Sequence, residues 1–142
     1  PITAGDGALR TGDLGFLRGG ELYVCGRVKD MIIIGGRNLY PEDYEAVADT
    51  VDGIRAGNVI AFSLPEQERM VVVAEGYGRE QTMSVVARRL FTRLQSDTQY
   101  APAEVVMVRP GTLPKTSSGK RQRRLCREQY LNGGLDTLCA VT

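Results

Sequence analysis

The chain has 142 residues, 42% of them apolar and 25% charged, which are the values of an ordinary globular domain large enough to bury a core. Its 18 basic and 17 acidic side chains leave a net charge of +1, so no global field points to nucleic acid or membrane, and no apolar run is long enough to be a transmembrane segment. Histidine is absent, which excludes histidine triads and zinc–histidine sites. The three cysteines, Cys25, Cys126 and Cys139, lack C-x-x-C spacing, so no metal site is expected, and free thiols in a reducing, cytoplasmic compartment are.

The chain begins Pro1-Ile2, without Met, and is expected to be a piece of a longer protein. Residues 1–13 are Gly-rich and polar, ending in Thr11-Gly12-Asp13. A Gly-Asp step can accept hydrogen bonds from a ligand's hydroxyls, or be a plain turn. Apolar runs at 14–17 and 22–25 flank Arg18-Gly19-Gly20-Glu21, the pattern of a β-hairpin whose two glycines tolerate positive φ. Gly26-Arg27-Val28-Lys29-Asp30 follows, charged and without periodicity, and reads as a linker.

Residues 31–34 form a short β-branched strand that Gly35-Gly36-Arg37-Asn38 breaks. Pro41 stands where a helix begins, and Glu42, Asp43 and Glu45 favour the positive end of its dipole. Tyr44, Val47, Ala48 and Val51 recur at helical spacing until Asp52-Gly53 closes the helix. Strands are expected over 59–64 and 70–75 about a turn at 65–68, then a helix over 80–96 with Met83, Val86, Leu90 and Leu94 inward and Arg88, Arg89 and Arg93 on a solvated face. A strand over 104–108 and a final basic helix ending at Gly133-Gly134 complete the reading. The alternation predicts an α+β domain, a small mixed sheet covered by helices and preceded by a β-hairpin.

Between that strand and helix lies Leu113-Pro114-Lys115-Thr116-Ser117-Ser118-Gly119-Lys120, a run too poor in apolar side chains to build a core. Such a loop presents a side chain, and a lysine ammonium is suited to oxygens whose negative charge grows in a transition state. A solvated basic loop is the alternative, and residue types alone leave both open. A phosphate-binding P-loop is excluded, because the preceding glycine is Gly111 and Arg121 follows the lysine where Ser or Thr is needed.

Pro114-Lys115-Thr116-Ser117-Ser118-Gly119-Lys120 resembles the terminal lysine motif of the adenylate-forming superfamily, which includes acyl-CoA synthetases, fatty-acyl-AMP ligases, nonribosomal adenylation domains and luciferases. Three further segments resemble its other motifs in the same order. They are Thr11-Gly12-Asp13, the hinge-like Gly26-Arg27-Val28-Lys29-Asp30, and the glycine loop Gly35-Gly36-Arg37-Asn38-Leu39-Tyr40-Pro41-Glu42-Asp43. The Arg37-Asn38 wording before Tyr40-Pro41 is most similar to the long-chain fatty-acyl-AMP ligases. Tyr44, where an aliphatic residue is usual, and Cys25, where Thr is common, depart from the pattern.

The resemblance implies that residues 1–28 are the last hairpin of a large ATP-binding domain and 29–142 a mobile C-terminal lid. It makes Lys120 the catalytic lysine, Asp13 and Arg27 ligands of the ATP ribose, Lys29 the pivot with Asp30 beside it, and Gly35, Gly36, Arg37, Asn38, Tyr40 and Pro41 the loop of the second half-reaction. ATP with Mg²⁺, whose ligands would lie in the large domain, a fatty acid and an acyl carrier protein are the implied cofactors and partners. An acyl-CoA synthetase lid is the near alternative. A noncatalytic module that docks an acidic carrier through the helix bearing Arg123 and Arg124 is the distant one.

Overall fold

A computed structural model describes residues 31–142, with backbone alone at residue 65, and the backbone of four strands before them. Strand β1 (Ile2–Ala4) pairs antiparallel with β2 (Ala8–Arg10), and β3 (Asp13–Arg18) with β4 (Glu21–Arg27). The expected hairpin over 14–25 is therefore present and longer, whereas β1 and β2 arise in a stretch read only as polar. Thr11, Gly12, Gly19 and Gly20, and the whole of 28–30 with the expected pivot, lie outside the described residues.

The next hairpin joins β5 (Ile32–Ile34) to β6 (Arg37–Leu39). Gly35 and Gly36 form its two-residue turn with φ of 57° and 77°, the doubly positive geometry that matches strand twist and that side chains with a Cβ resist. The glycines were expected to end a strand; they connect two. Helix α1 (Pro41–Ala48) follows with Pro41 at its first turn, shorter than the span to Asp52-Gly53 because its last residues become turns.

The main sheet has the order β10-β9-β8-β7, built from β7 (Ile54–Leu64), β8 (Arg69–Gly76), β9 (Glu104–Val108) and β10 (Thr137–Val141). Its β8–β9 pair is parallel, joined through α2 (Glu80–Asp97), and the other two pairs are antiparallel, so the sheet is mixed as expected. β10 had no counterpart in the sequence reading, which stopped at the glycines that end α3 (Arg123–Asn132).

Side chains that alternate along each strand enter two separate cores. Val59, Ala61, Val72, Ala74, Val105 and Met107 face α1 and α2, where Tyr44, Ala48, Met83, Leu90 and Leu94 meet them. Ile60, Phe62, Val71, Val73, Val106 and Val108 face the other way, onto Leu113 and Cys126. With both faces covered, the strands read as unbroken apolar runs. Tyr44 donates a 2.6 Å hydrogen bond to the Tyr100 carbonyl, tying α1 to the connection that follows α2. The departure from an aliphatic residue thus has a structural use. Arg88, Arg89 and Arg93 are exposed, as expected.

Candidate functional site

The lysine loop is a small hairpin whose base is an antiparallel bridge between Lys115 and Arg121. Thr116 organises its tip. Its N–H donates to the Lys120 carbonyl (2.8 Å), its carbonyl accepts from Gly119 N–H (2.9 Å), and its hydroxyl oxygen accepts from Lys120 N–H (3.1 Å) and lies 3.0 Å from the Ser118 hydroxyl. Gly119 turns the chain with φ of 84°, a left-handed conformation natural to glycine. Gln122 N–H donates to the Pro114 carbonyl (3.1 Å) just before α3 begins. The Thr116 and Ser118 hydroxyls are therefore spent on shaping the loop. Residues 116–120 are exposed, and the Lys120 ammonium has no hydrogen-bond or ion-pair partner among the described residues.

Two buried carboxylates hold this hairpin to the sheet. Glu75, at the end of β8, accepts the Leu113 N–H (2.9 Å) and a 2.7 Å bond from Arg55, whose guanidinium it holds further in its charged form. Glu45, on the inner face of α1, accepts two bonds from Arg123 (3.0 and 2.6 Å) and one from the Ala61 N–H (3.0 Å). Arg121 Nε lies 3.6 Å from the same carboxylate. Burial, assisted by Glu45, pushes the Cys126 thiol up to about 12.

Sequence reasoning treated Glu45 as a dipole partner and did not single out Glu75. The signal was present: Glu45 falls with Pro41, Tyr44 and Ala48 on the i, i+3, i+4, i+7 stripe that packs inward. The basic helix also differs from expectation. Arg121 precedes α3 and Arg123 is committed to Glu45, while Arg124 stays exposed beside Glu128 at 3.5 Å. Of the two arginines proposed for a docking surface, only Arg124 is well exposed.

The glycine loop is displayed in the same way. Gly35, Gly36, Arg37 and Asn38 are exposed, Tyr40 is half-buried and Pro41 is buried, while Ile32, Ile34 and Leu39 root the hairpin in the core. In the N-terminal hairpin the register sets Asp13 opposite Arg27, so the two expected ribose ligands are cross-strand partners. Lys29 and Asp30 are outside the described residues.

No protein-family model matches the chain. Among curated proteins it is 40% identical to the medium-chain-fatty-acid–[acyl-carrier-protein] ligase JamA of Moorena producens over 134 residues, 90% of this chain and 23% of that protein. It is 39% identical to the long-chain-fatty-acid–AMP ligase FadD26 of Mycobacterium marinum over 139 residues, 92% of this chain and 23% of that one. A putative acyl-CoA synthetase of Caulobacter vibrioides is 38% identical over 93% of this chain and 24% of its own length. The chain thus spans about a quarter of the length of the curated relatives it matches. Of solved structures, one from a study of fatty acyl-adenylate ligases of E. coli and L. pneumophila superimposes with a TM-score of 0.76 at 38% identity, covering 89% of this chain and 23% of that chain.

The fold is that of the C-terminal region of adenylate-forming enzymes. Within that superfamily the chain is similar to the C-terminal portion of fatty-acyl-AMP ligases.

Proposed function

We propose that residues 29–142 are the mobile lid, and residues 1–28 the last hairpin of the ATP-binding domain, of a ligase that converts a fatty acid and ATP to acyl adenylate and pyrophosphate. The acyl group then passes to the phosphopantetheine thiol of an acyl carrier protein from a polyketide or nonribosomal synthase. The observation that carries this reading is the exposed Lys120 ammonium at the tip of a hairpin pinned on both sides.

As the acid's carboxylate oxygen attacks the α-phosphorus and pyrophosphate departs, negative charge builds on the phosphoryl and acyl oxygens. Lys120 would neutralise that charge, an electrostatic and positioning role. Asp13 and Arg27 would hold the ribose hydroxyls. Rotation about Lys29, with Asp30 beside it, would then withdraw Lys120 and bring Gly35, Gly36, Arg37, Asn38, Tyr40 and Pro41 to the adenylate for transfer.

Mg²⁺ would accompany ATP, and the described residues hold no cluster of three or more acidic or cysteine side chains arranged for a metal ion. No helix among them is long and apolar enough to cross a membrane. Free Cys126 and Cys139 agree with a reducing, cytoplasmic setting.

The test is Lys120→Ala in the full-length protein, with two half-reactions measured separately. ATP–pyrophosphate exchange should fall at least a hundredfold while transfer from preformed acyl adenylate persists. Equal loss in both would refute the two-conformation reading. The similarity to an acyl-CoA synthetase favours a second acceptor, CoA. Mass spectrometry of products formed with CoA and holo-carrier both present separates the two: acyl-carrier without acyl-CoA supports the ligase, and abundant acyl-CoA moves the protein to the synthetases.

A further inference from the structure

The lysine loop contains three cations within seven residues, and the structure treats them differently. Lys115 and Arg121 are cross-strand partners at its base, and each reaches down to a backbone carbonyl of β7. Lys115 Nζ donates to Gly57 O at 2.7 Å, and Arg121 Nε donates to Val59 O at 2.7 Å. The receiving stretch is the bulge where the β7–β8 register shifts between Ile54 and Val59, a place where carbonyls leave the ladder and become free to accept.

That bulge is itself restrained. Gly57 N–H donates to Asp49 at the end of α1 (2.9 Å), and Arg55 bonds Glu75, the same carboxylate that accepts the Leu113 N–H. Arg121 is flanked by Glu45 at 3.6 Å and by Asp49 at 3.8 Å. Lys120 alone of the three extends without a partner among the described residues.

We propose that Lys115 and Arg121 are positioning residues that clamp both strands of the loop base to the β7 bulge and so aim Lys120. The proposal rests on the reading of Lys120 as the adenylation lysine and deepens it. Two anchors on opposite strands stop the hairpin from rocking about its base, which a single anchor would allow. With the anchors in place, the only conformational freedom left to Lys120 is that of its own side chain, so little ordering remains to be done when charge develops on the substrate. Occupying the other two cations with β7 carbonyls also keeps them from competing for the same anionic oxygens.

The test uses the full-length protein and compares Lys115→Met, Lys115→Arg and Lys120→Ala. Lys115→Met keeps the stem and removes the donor, while arginine can reach the same carbonyl. Lys115→Met should lower the kcat of ATP–pyrophosphate exchange about 10- to 100-fold, the effect of an ångström-scale misplacement, with KM for ATP and the unfolding temperature little changed. Lys115→Arg should recover most of the loss, and the transfer half-reaction should be far less affected than adenylation. Exchange within twofold of the parent in Lys115→Met would overturn the clamp. A raised KM for ATP at unchanged kcat would overturn it by making Lys115 a nucleotide ligand. Parallel loss of both half-reactions with a lowered unfolding temperature would overturn it by making the contact structural. If Lys120→Ala itself leaves exchange intact, the adenylation reading fails; if only Lys115→Met does, that reading stands and the clamp alone is lost.

Discussion

Replacing Arg123 by alanine removes the larger part of the ion pair that fixes α3 against α1. The Glu45 side chain is 2% exposed and that of Arg123 12%, and the guanidinium meets the carboxylate with two bonds of 3.0 and 2.6 Å. Without Arg123 the carboxylate keeps the Ala61 N–H and the more distant Arg121 guanidinium, too little to replace its lost hydration. Breaking such a buried pair from one side costs about 3–5 kcal/mol, and the remaining Arg121 places this case near about 3. For a domain of this length that corresponds to a fall in Tm of roughly 10 °C. Urea unfolding of the 142-residue chain followed by circular dichroism measures it. Arg124→Ala is the control, since the Arg124 side chain is 84% exposed and pairs with Glu128 only at 3.5 Å. It should cost less than about 0.5 kcal/mol. Equal effects from the two alanines would refute the claim that Glu45 and Arg123 form a structural joint.

Other consequences are open to direct measurement. In a Cys25→Ser background, one thiol of the native chain, Cys139, should react with a disulfide reagent at pH 8, and Cys126 only on unfolding; equal rates would contradict the burial of Cys126. The folded chain holds the Cys126 and Tyr130 protons up to about 12, against ordinary values of 9.0 and 10.0, chiefly through burial, with the Glu104 bond also raising Tyr130. The folded state therefore binds these protons more tightly, so their contribution is whole below pH 9 and is lost as pH rises toward 12. Urea midpoints should fall over that window, and Tyr130→Phe should flatten its upper part; a constant midpoint from pH 8 to 11 would contradict the sign. Tyr44→Phe leaves the Tyr100 carbonyl without its 2.6 Å donor and should cost about 1 kcal/mol by the same unfolding assay.

What the sequence makes legible follows from the range of the forces involved. Helix α2 is readable because Met83, Val86, Leu90 and Leu94 repeat with the helical period, and β8 and β9 because burial on both faces makes them continuous apolar runs. Strand β6 is not, since Arg37 and Asn38 are exposed and carry no strand signal; its existence depends on the doubly positive turn at Gly35 and Gly36. The Gly-Gly turn chemistry expected at 19–20 operates at 35–36. β10 was hidden because two glycines after α3 read as an end, although Thr137–Val141 is itself an apolar run. The lysine loop is legible as a motif, but its supports are not. Glu45 lies 78 residues from Arg123, and Lys115 lies 58 from Gly57, so neither pairing leaves a local pattern.

Those long-range supports bear on the proposal that one small domain serves two steps. α1 begins directly after the hairpin that displays Gly35 and Gly36, and through Glu45 and Asp49 the same helix grips Arg123, Arg121 and the β7 bulge behind Lys120. The glycine loop thus runs directly into the element whose buried and half-buried polar contacts hold the lysine loop. Pulling the lysine loop away from that helix would break an ion pair that water cannot make good. On the proposed reading, a change of which loop faces the substrate would come from turning the whole unit and not from refolding a loop.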